Sequence, residues 1–146
     1  MKNLIIGIAM ALLASSCSVG QPKINYGHDE CAHCRMNVMD QKYAAAITTM
    51  KGRSYVFDDP ECMVPFVVTD AKVPESDVKT WYVTDFAHPG TLLDATKAFY
   101  LHSPKLHSPM RGNMAAFSTE ADRKAAESEF PGDVMDWTAA KVLLAE

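Results

Sequence analysis

A stretch near the start of the chain, "HDECAHCRMNVM" (residues 28–39), concentrates side chains that bind soft metal ions. Cys31 and Cys34 form a CxxC pair, and Met36 follows the second cysteine by two residues. In an extended segment, Cys34 and Met36 point to the same face of the backbone. A thiolate beside a thioether favours Cu(I) over harder ions, because both ligands are soft.

A second stretch, "LHSPMRGNM", offers further soft ligands in the later part of the chain. Met110 stands between a proline and a glycine in a predicted loop, where a side chain is presented to a ligand more readily than packed in a core. Cu(I) tolerates a low coordination number, so its site need not be complete in one stretch. Cys34, Met36 and Met110 are therefore candidate Cu(I) ligands. The histidines of these two stretches are secondary candidates: His28, His33 and His107.

Two other kinds of site remain open for the CxxC pair. A thiol–disulfide oxidoreductase uses such a pair within a βαβ unit, whereas here a polar segment precedes Cys31. A structural zinc site in an interaction module needs four ligands, and Cys31 with Cys34 would supply one pair. Cys62 lies in the apolar stretch "CMVPFVV" and is predicted to be a buried small hydrophobic residue.

The first residues are typical of an export signal. A basic residue precedes the apolar run "LIIGIAMALL", which is too short to span a membrane, since that requires about 20 apolar residues. The small residues before Cys17 resemble a bacterial lipobox. Residues 1–16 are therefore predicted to be a cleaved signal peptide, Cys17 to carry lipid, residues 17–27 to form a tether and residues 28–146 to form the domain. Lipidation of Cys17 leaves three other cysteines, and an odd count indicates a free thiol or a metal ligand.

The elements that would position these side chains follow from local pattern. The expected order is a hairpin over residues 43–59, a helix capped by Asp59, a strand over 79–86, a strand over 96–102, the short strand "MAAFS" and a helix over 119–130. A Met-basic-Gly triplet at Met50 recurs 60 residues later at Met110, and each copy precedes a Phe and a helix cap. The repeat predicts an α+β domain of two related ββα units, with Met50 and Met110 in related places.

Composition and motifs argue against two classes of function, nucleic-acid binding and catalysis. The formal net charge is −4, and no basic stripe stands out, so nucleic acid is excluded as a partner. No nucleophile–base pair and no phosphate-binding glycine loop stands out, which argues against an enzyme.

The combined pattern resembles the NosL family of copper-binding lipoproteins, which are associated with the maturation of nitrous oxide reductase. The motifs that carry the resemblance span nearly the whole mature chain in order: the lipobox, "CxxCxM", "YVFDD", "WYVTDF", "DATKAFY" and "SPMRG".

The resemblance implies a small α+β domain with two related ββα halves that binds Cu(I) and delivers it without catalysis. It implies a lipoprotein facing the periplasm, on the inner or the outer membrane. The implied partners are nitrous oxide reductase or its ABC-type maturation machinery in denitrification. The resemblance maps the copper ligands onto Cys34, Met36 and Met110, with Cys31 and Met114 as additional candidates.

Overall fold

The chain folds into two small antiparallel sheets and three α-helices, which confirms the predicted α+β class. The computed structural model describes residues 20–146, so the predicted signal peptide and Cys17 lie outside the described residues. From residue 20 onward, no helix is both long enough and apolar enough to cross a bilayer.

The first sheet has four strands in the order β2-β1-β3-β4. Its strands are β1 (Ala45–Thr49), β2 (Ser54–Phe57), β3 (Val78–Thr84) and β4 (Leu92–Asp94). Every residue of β1 is buried, because strands flank it on both sides and helix α1 (Pro60–Val68) packs against it. The predicted hairpin and the predicted start of α1 are both confirmed.

The second sheet has three strands in the order β6-β5-β7. Its strands are β5 (Phe99–His102), β6 (Met114–Phe117) and β7 (Asp133–Met135), and the accompanying helices are α2 (Glu120–Glu129) and α3 (Trp137–Leu144). The strand predicted from residue 96 begins only at Phe99. The Asp94 side chain accepts the N–H of Thr96 and caps a 3₁₀ turn over Ala95–Lys97, which delays the strand.

The two halves of the chain share one topology. In each, two antiparallel strands lead into a helix, and the next strand pairs with the first: β1-β2-α1-β3 and then β5-β6-α2-β7. Asp59 and Thr119 cap the two equivalent helices. Met50 and Met110 both lie in the connection between the first and second strands of their unit, as the repeated triplet predicted.

The N-terminal segment of the described residues joins the domain. Ile24 is buried in the main hydrophobic core, and the Gln21 side chain donates to the carbonyl of Leu92 in β4. Ile24, which lies in the predicted tether (residues 17–27), is therefore part of the packed domain.

Candidate metal centre

The CxxC stretch forms a tight turn beside the edge strand β2. The N–H of Cys31 donates to the carbonyl of Met36 at 2.8 Å, and the N–H of Arg35 donates to the carbonyl of Cys31 at 3.1 Å. Arg35 adopts a φ of 68°, a left-handed conformation that closes the turn directly after Cys34. The N–H of Ala32 donates to the carbonyl of Val56 at 2.9 Å and attaches the turn to the sheet.

Helix α1 brings Cys62 to the same place. Asp59 is the N-cap residue, and its Oδ1 accepts the N–H of Cys62 at 3.1 Å. Pro60 occupies the first helical position, where its fixed φ suits the helix and its missing N–H costs no hydrogen bond. Cys62 therefore lies in the first turn. It is fully buried, which confirms the prediction of burial.

The sulfur atoms of Cys31, Cys34 and Cys62 lie within 4.8 Å of one another, and we call this group the three-cysteine cluster. All three cysteines are free. Cys31 and Cys62 are fully buried, whereas Cys34 is partly exposed. Within residues 20–146, no histidine or carboxylate belongs to this group. The cluster is thus a sulfur-only ligand set with one side open to solvent.

The three thiols differ in acidity. A hydrogen bond from the Cys62 thiol lowers the pKa of Cys31 to about 5 despite burial, and the backbone N–H groups of Cys34, Asp58 and His33 act in the same direction. The Cys62 thiol donates this hydrogen bond, and the bond together with burial raises the pKa of Cys62. Burial raises the pKa of Cys34. At neutral pH the cluster therefore holds one thiolate and two protonated thiols.

The connection between β5 and β6 (residues 103–113), here called the Met110 loop, packs against the start of α1. The N–H of Met110 donates to Oδ2 of Asp59 at 2.8 Å, so one carboxylate holds both Met110 and Cys62. Gly112 lies so close to Glu61 that a Cβ at this position would be 2.8 Å from the Glu61 carboxylate. Met110 is partly buried against the core that contains Cys62. The structure thus brings Met110 to the helix turn that carries Cys62.

The other predicted ligands are found in different environments. Met36 is 49% exposed on the CxxC turn. Nε2 of His33 lies 3.1 Å from the Asp70 carboxylate, and its Nδ1 is buried without a hydrogen-bond partner among the described residues. His107 is exposed on the Met110 loop, whereas Met114 is buried in β6. His28 is exposed ahead of the turn.

Two residues of the centre were not assigned to it from the sequence. The sequence predicts Cys62 as a buried core residue and Asp59 as a helix cap. The odd number of cysteines is the signal that pointed beyond a simple pair. The helix start at Pro60 also placed Cys62 in a first turn, where its backbone N–H requires a cap.

Comparisons with known proteins agree on one family. The family model of NosL matches residues 24–142 of the chain. The crystal structure of the copper chaperone NosL from Shewanella denitrificans is similar, with a TM-score of 0.70 and 18% sequence identity, over 83% of this chain and 95% of that chain. At this identity the likeness shows a shared fold. No curated protein matches the chain.

Proposed function

Because the chain belongs to the NosL family, we propose that it binds Cu(I) at the three-cysteine cluster and passes the ion to another protein, as a metallochaperone rather than an enzyme. The observation that carries this proposal is the placement of three sulfurs within 4.8 Å of one another, with no harder ligand among them in the described part of the chain. The similar Shewanella protein is described as a copper chaperone, which supports the same role here.

The chemistry of the cluster suits a soft monovalent cation. Thiolates are soft ligands that select Cu(I), and a three-sulfur set matches its low coordination number. Cys31 supplies a thiolate before any metal arrives, because its pKa is about 5. The incoming cation displaces the protons of Cys34 and Cys62 to solvent, so that three thiolates hold one Cu(I) and the loaded cluster carries a net charge of −2.

Release would occur on the open side of the cluster. Cys34 is partly exposed, and Met36, two residues further on, is 49% exposed. A soft ligand of an acceptor protein can add to the ion from this side before Cys34 leaves it. Met36 and Met110 would act as weaker thioether ligands during this exchange, since they carry no charge and dissociate readily.

The destination of the copper is a further part of this proposal. We propose that the copper is delivered for the maturation of nitrous oxide reductase, either to the enzyme or to its ABC-type machinery. A lipid on Cys17 would hold the protein at a bacterial membrane on the periplasmic side. The lipobox pattern before Cys17 supports this location.

The same geometry disfavours the two alternatives. An oxidoreductase would use the thiolate to attack a substrate disulfide, but Cys31 is fully buried. A structural zinc site would need a fourth ligand, and the group in the described residues contains three sulfurs.

Anaerobic titration with Cu(I) against a competing chelator tests the proposal. We expect one Cu(I) per chain, and we expect Cys62→Ala to weaken the affinity at least about tenfold through loss of a charged ligand. The double variant Met36→Ala/Met110→Ala is expected to weaken binding less than Cys62→Ala does. Met50→Ala is the matched control, because Met50 is 68% exposed and lies in the equivalent connection of the first half.

Several outcomes would contradict the proposal. Unchanged affinity in Cys62→Ala would remove Cys62 from the site. A dithiol-dependent reductase activity that Cys31→Ser abolishes would favour the oxidoreductase. A stoichiometric zinc ion that Cu(I) does not displace would favour a zinc-stabilised interaction module.

A further inference from the structure

The Asp59 carboxylate accepts two backbone N–H groups that come from different halves of the chain. Oδ1 accepts the N–H of Cys62 at 3.1 Å, and Oδ2 accepts the N–H of Met110 at 2.8 Å. Asp59 is almost fully buried, so neither bond competes with bulk water. Hydrogen bonds to a buried carboxylate are stronger than bonds between neutral groups.

Capping alone explains only one of these two bonds. The other helix caps, Thr119 of α2 and Asp136 of α3, accept N–H groups of their own first turns, from Asp122 and Ala139 respectively. Asp59 caps α1 in the same way, because its Oδ1 accepts the N–H of Cys62. Its second oxygen, Oδ2, accepts the N–H of Met110 in the Met110 loop. The second bond therefore joins two segments rather than completing a helix.

We propose that Asp59 is a positioning residue of the copper centre, which fixes the Met110 loop of the second half against the cysteine-bearing helix turn of the first half. This inference rests on the proposed function. The close packing of Gly112 on Glu61 supports it, because it is a second contact between the same loop and the same helix turn.

Held in this way, Met110 remains beside the cluster while copper is bound and slows the escape of the ion. Loss of the Oδ2 bond frees the loop without removing any sulfur. The expected consequence is faster release of Cu(I), with the thiolates still bound to the ion.

Asp59→Asn is the selective test. An amide has one carboxyl-like oxygen, which can still accept the N–H of Cys62, but its NH₂ group cannot accept the N–H of Met110. We expect Cu(I) to leave the loaded protein for a chelator about tenfold faster than from the wild type, as for one lost charged hydrogen bond. Met110→Ala should give a similar acceleration, and the double variant should be no faster than either single variant. Asp136→Asn, which changes a cap far along the chain from the cluster, should keep the wild-type rate.

A wild-type release rate in Asp59→Asn, or accelerations that multiply in the double variant, would overturn the inference. Amide hydrogen exchange of the copper-free protein gives a readout that does not depend on copper. The Met110 amide should exchange faster in Asp59→Asn than in the wild type, and equal exchange would also overturn the inference. Failure of the wild type to bind Cu(I) would instead refute the proposed function.

Gly112→Ala provides a second variant should Asp59→Asn fail to fold. The added methyl meets the Glu61 side chain and pushes the loop from α1 without touching the Asp59 cap. Faster copper release from Gly112→Ala supports the inference, and an unchanged rate contradicts it. Gly20→Ala is its control, because nothing lies within 4 Å of a Cβ at that position.

Discussion

Loading the cluster with Cu(I) at neutral pH is expected to release two protons for each bound ion. Thiolates coordinate the metal, so each protonated thiol that becomes a ligand loses its proton. Cys31 contributes none, because the Cys62 thiol and backbone N–H groups hold its pKa at about 5. Cys34 and Cys62 contribute one proton each, since both have a raised pKa and are protonated before binding.

The size of the pH effect follows from this count. Release of two protons makes the apparent affinity for Cu(I) rise about 100-fold per pH unit between about pH 6 and pH 8. A site built from Cys34 with the thioethers of Met36 and Met110 would release a single proton, because thioethers carry none. In that case the rise would be about tenfold per pH unit.

The assay is an anaerobic Cu(I) titration against a chelator of known pH dependence, repeated at several pH values, with proton release followed in weakly buffered solution. Met110→Ala is the matched control. It removes a sulfur ligand without a proton, so its slope should equal that of the wild type. A wild-type slope that corresponds to one proton would refute the three-thiolate site and restore the ligand set suggested by sequence alone.

Three further predictions concern the stability of the copper-free fold. Gly132→Ala drives a methyl group into the His102 carbonyl oxygen. The free energy of unfolding of this variant, measured in urea, should be about 3 kcal/mol or more below that of the wild type. A decrease of less than about 1 kcal/mol would contradict the close approach of the two backbone segments. Tyr100→Phe deletes the buried hydrogen bond of 2.7 Å from the hydroxyl to the Ala95 carbonyl, so the free energy of unfolding should fall by about 1–2 kcal/mol. Equal stability of the variant and the wild type would show that this bond does not stabilise the fold. Burial raises the pKa of Asp59 from 3.8 to about 6, so the native state binds this proton more tightly than the unfolded state does. Stability should therefore decrease by roughly 3 kcal/mol as pH rises from about 3 to about 7, and Asp59→Asn should remove that decrease.

Features that depend on neighbouring residues could be predicted from the sequence. The caps at Asp59 and Thr119 are examples, because a cap side chain bonds to an N–H only two or three residues away. The repeated units could also be predicted, because the two triplets occupy equivalent connections between strands. The start of β5 could not be predicted, because the hydrogen bond from the Thr96 N–H to the Asp94 side chain holds a 3₁₀ turn in a stretch whose composition favours a strand.

The centre itself depends on contacts between segments that are distant in sequence. Cys31 and Cys34 could be recognised because they share one turn. The apolar surroundings of Cys62 correctly indicated burial, but apolar flanks do not reveal which side chains a buried sulfur faces. The bond from Met110 to Asp59 spans 51 positions of the chain, and no local pattern encodes it.

The burial of Ile24 limits the distance between the domain and a lipid attached at Cys17. If lipid is attached at Cys17, the chain between the anchor and Ile24, the first buried residue of the described part, extends at most about 25 Å even when fully stretched. The N-terminal side of the domain would then stay close to the bilayer, and the CxxC turn follows Ile24 by only a few residues. An acceptor protein would have to present its own soft ligand just above the lipid headgroups. The short segment between the lipid and the domain would therefore restrict which proteins can receive the ion.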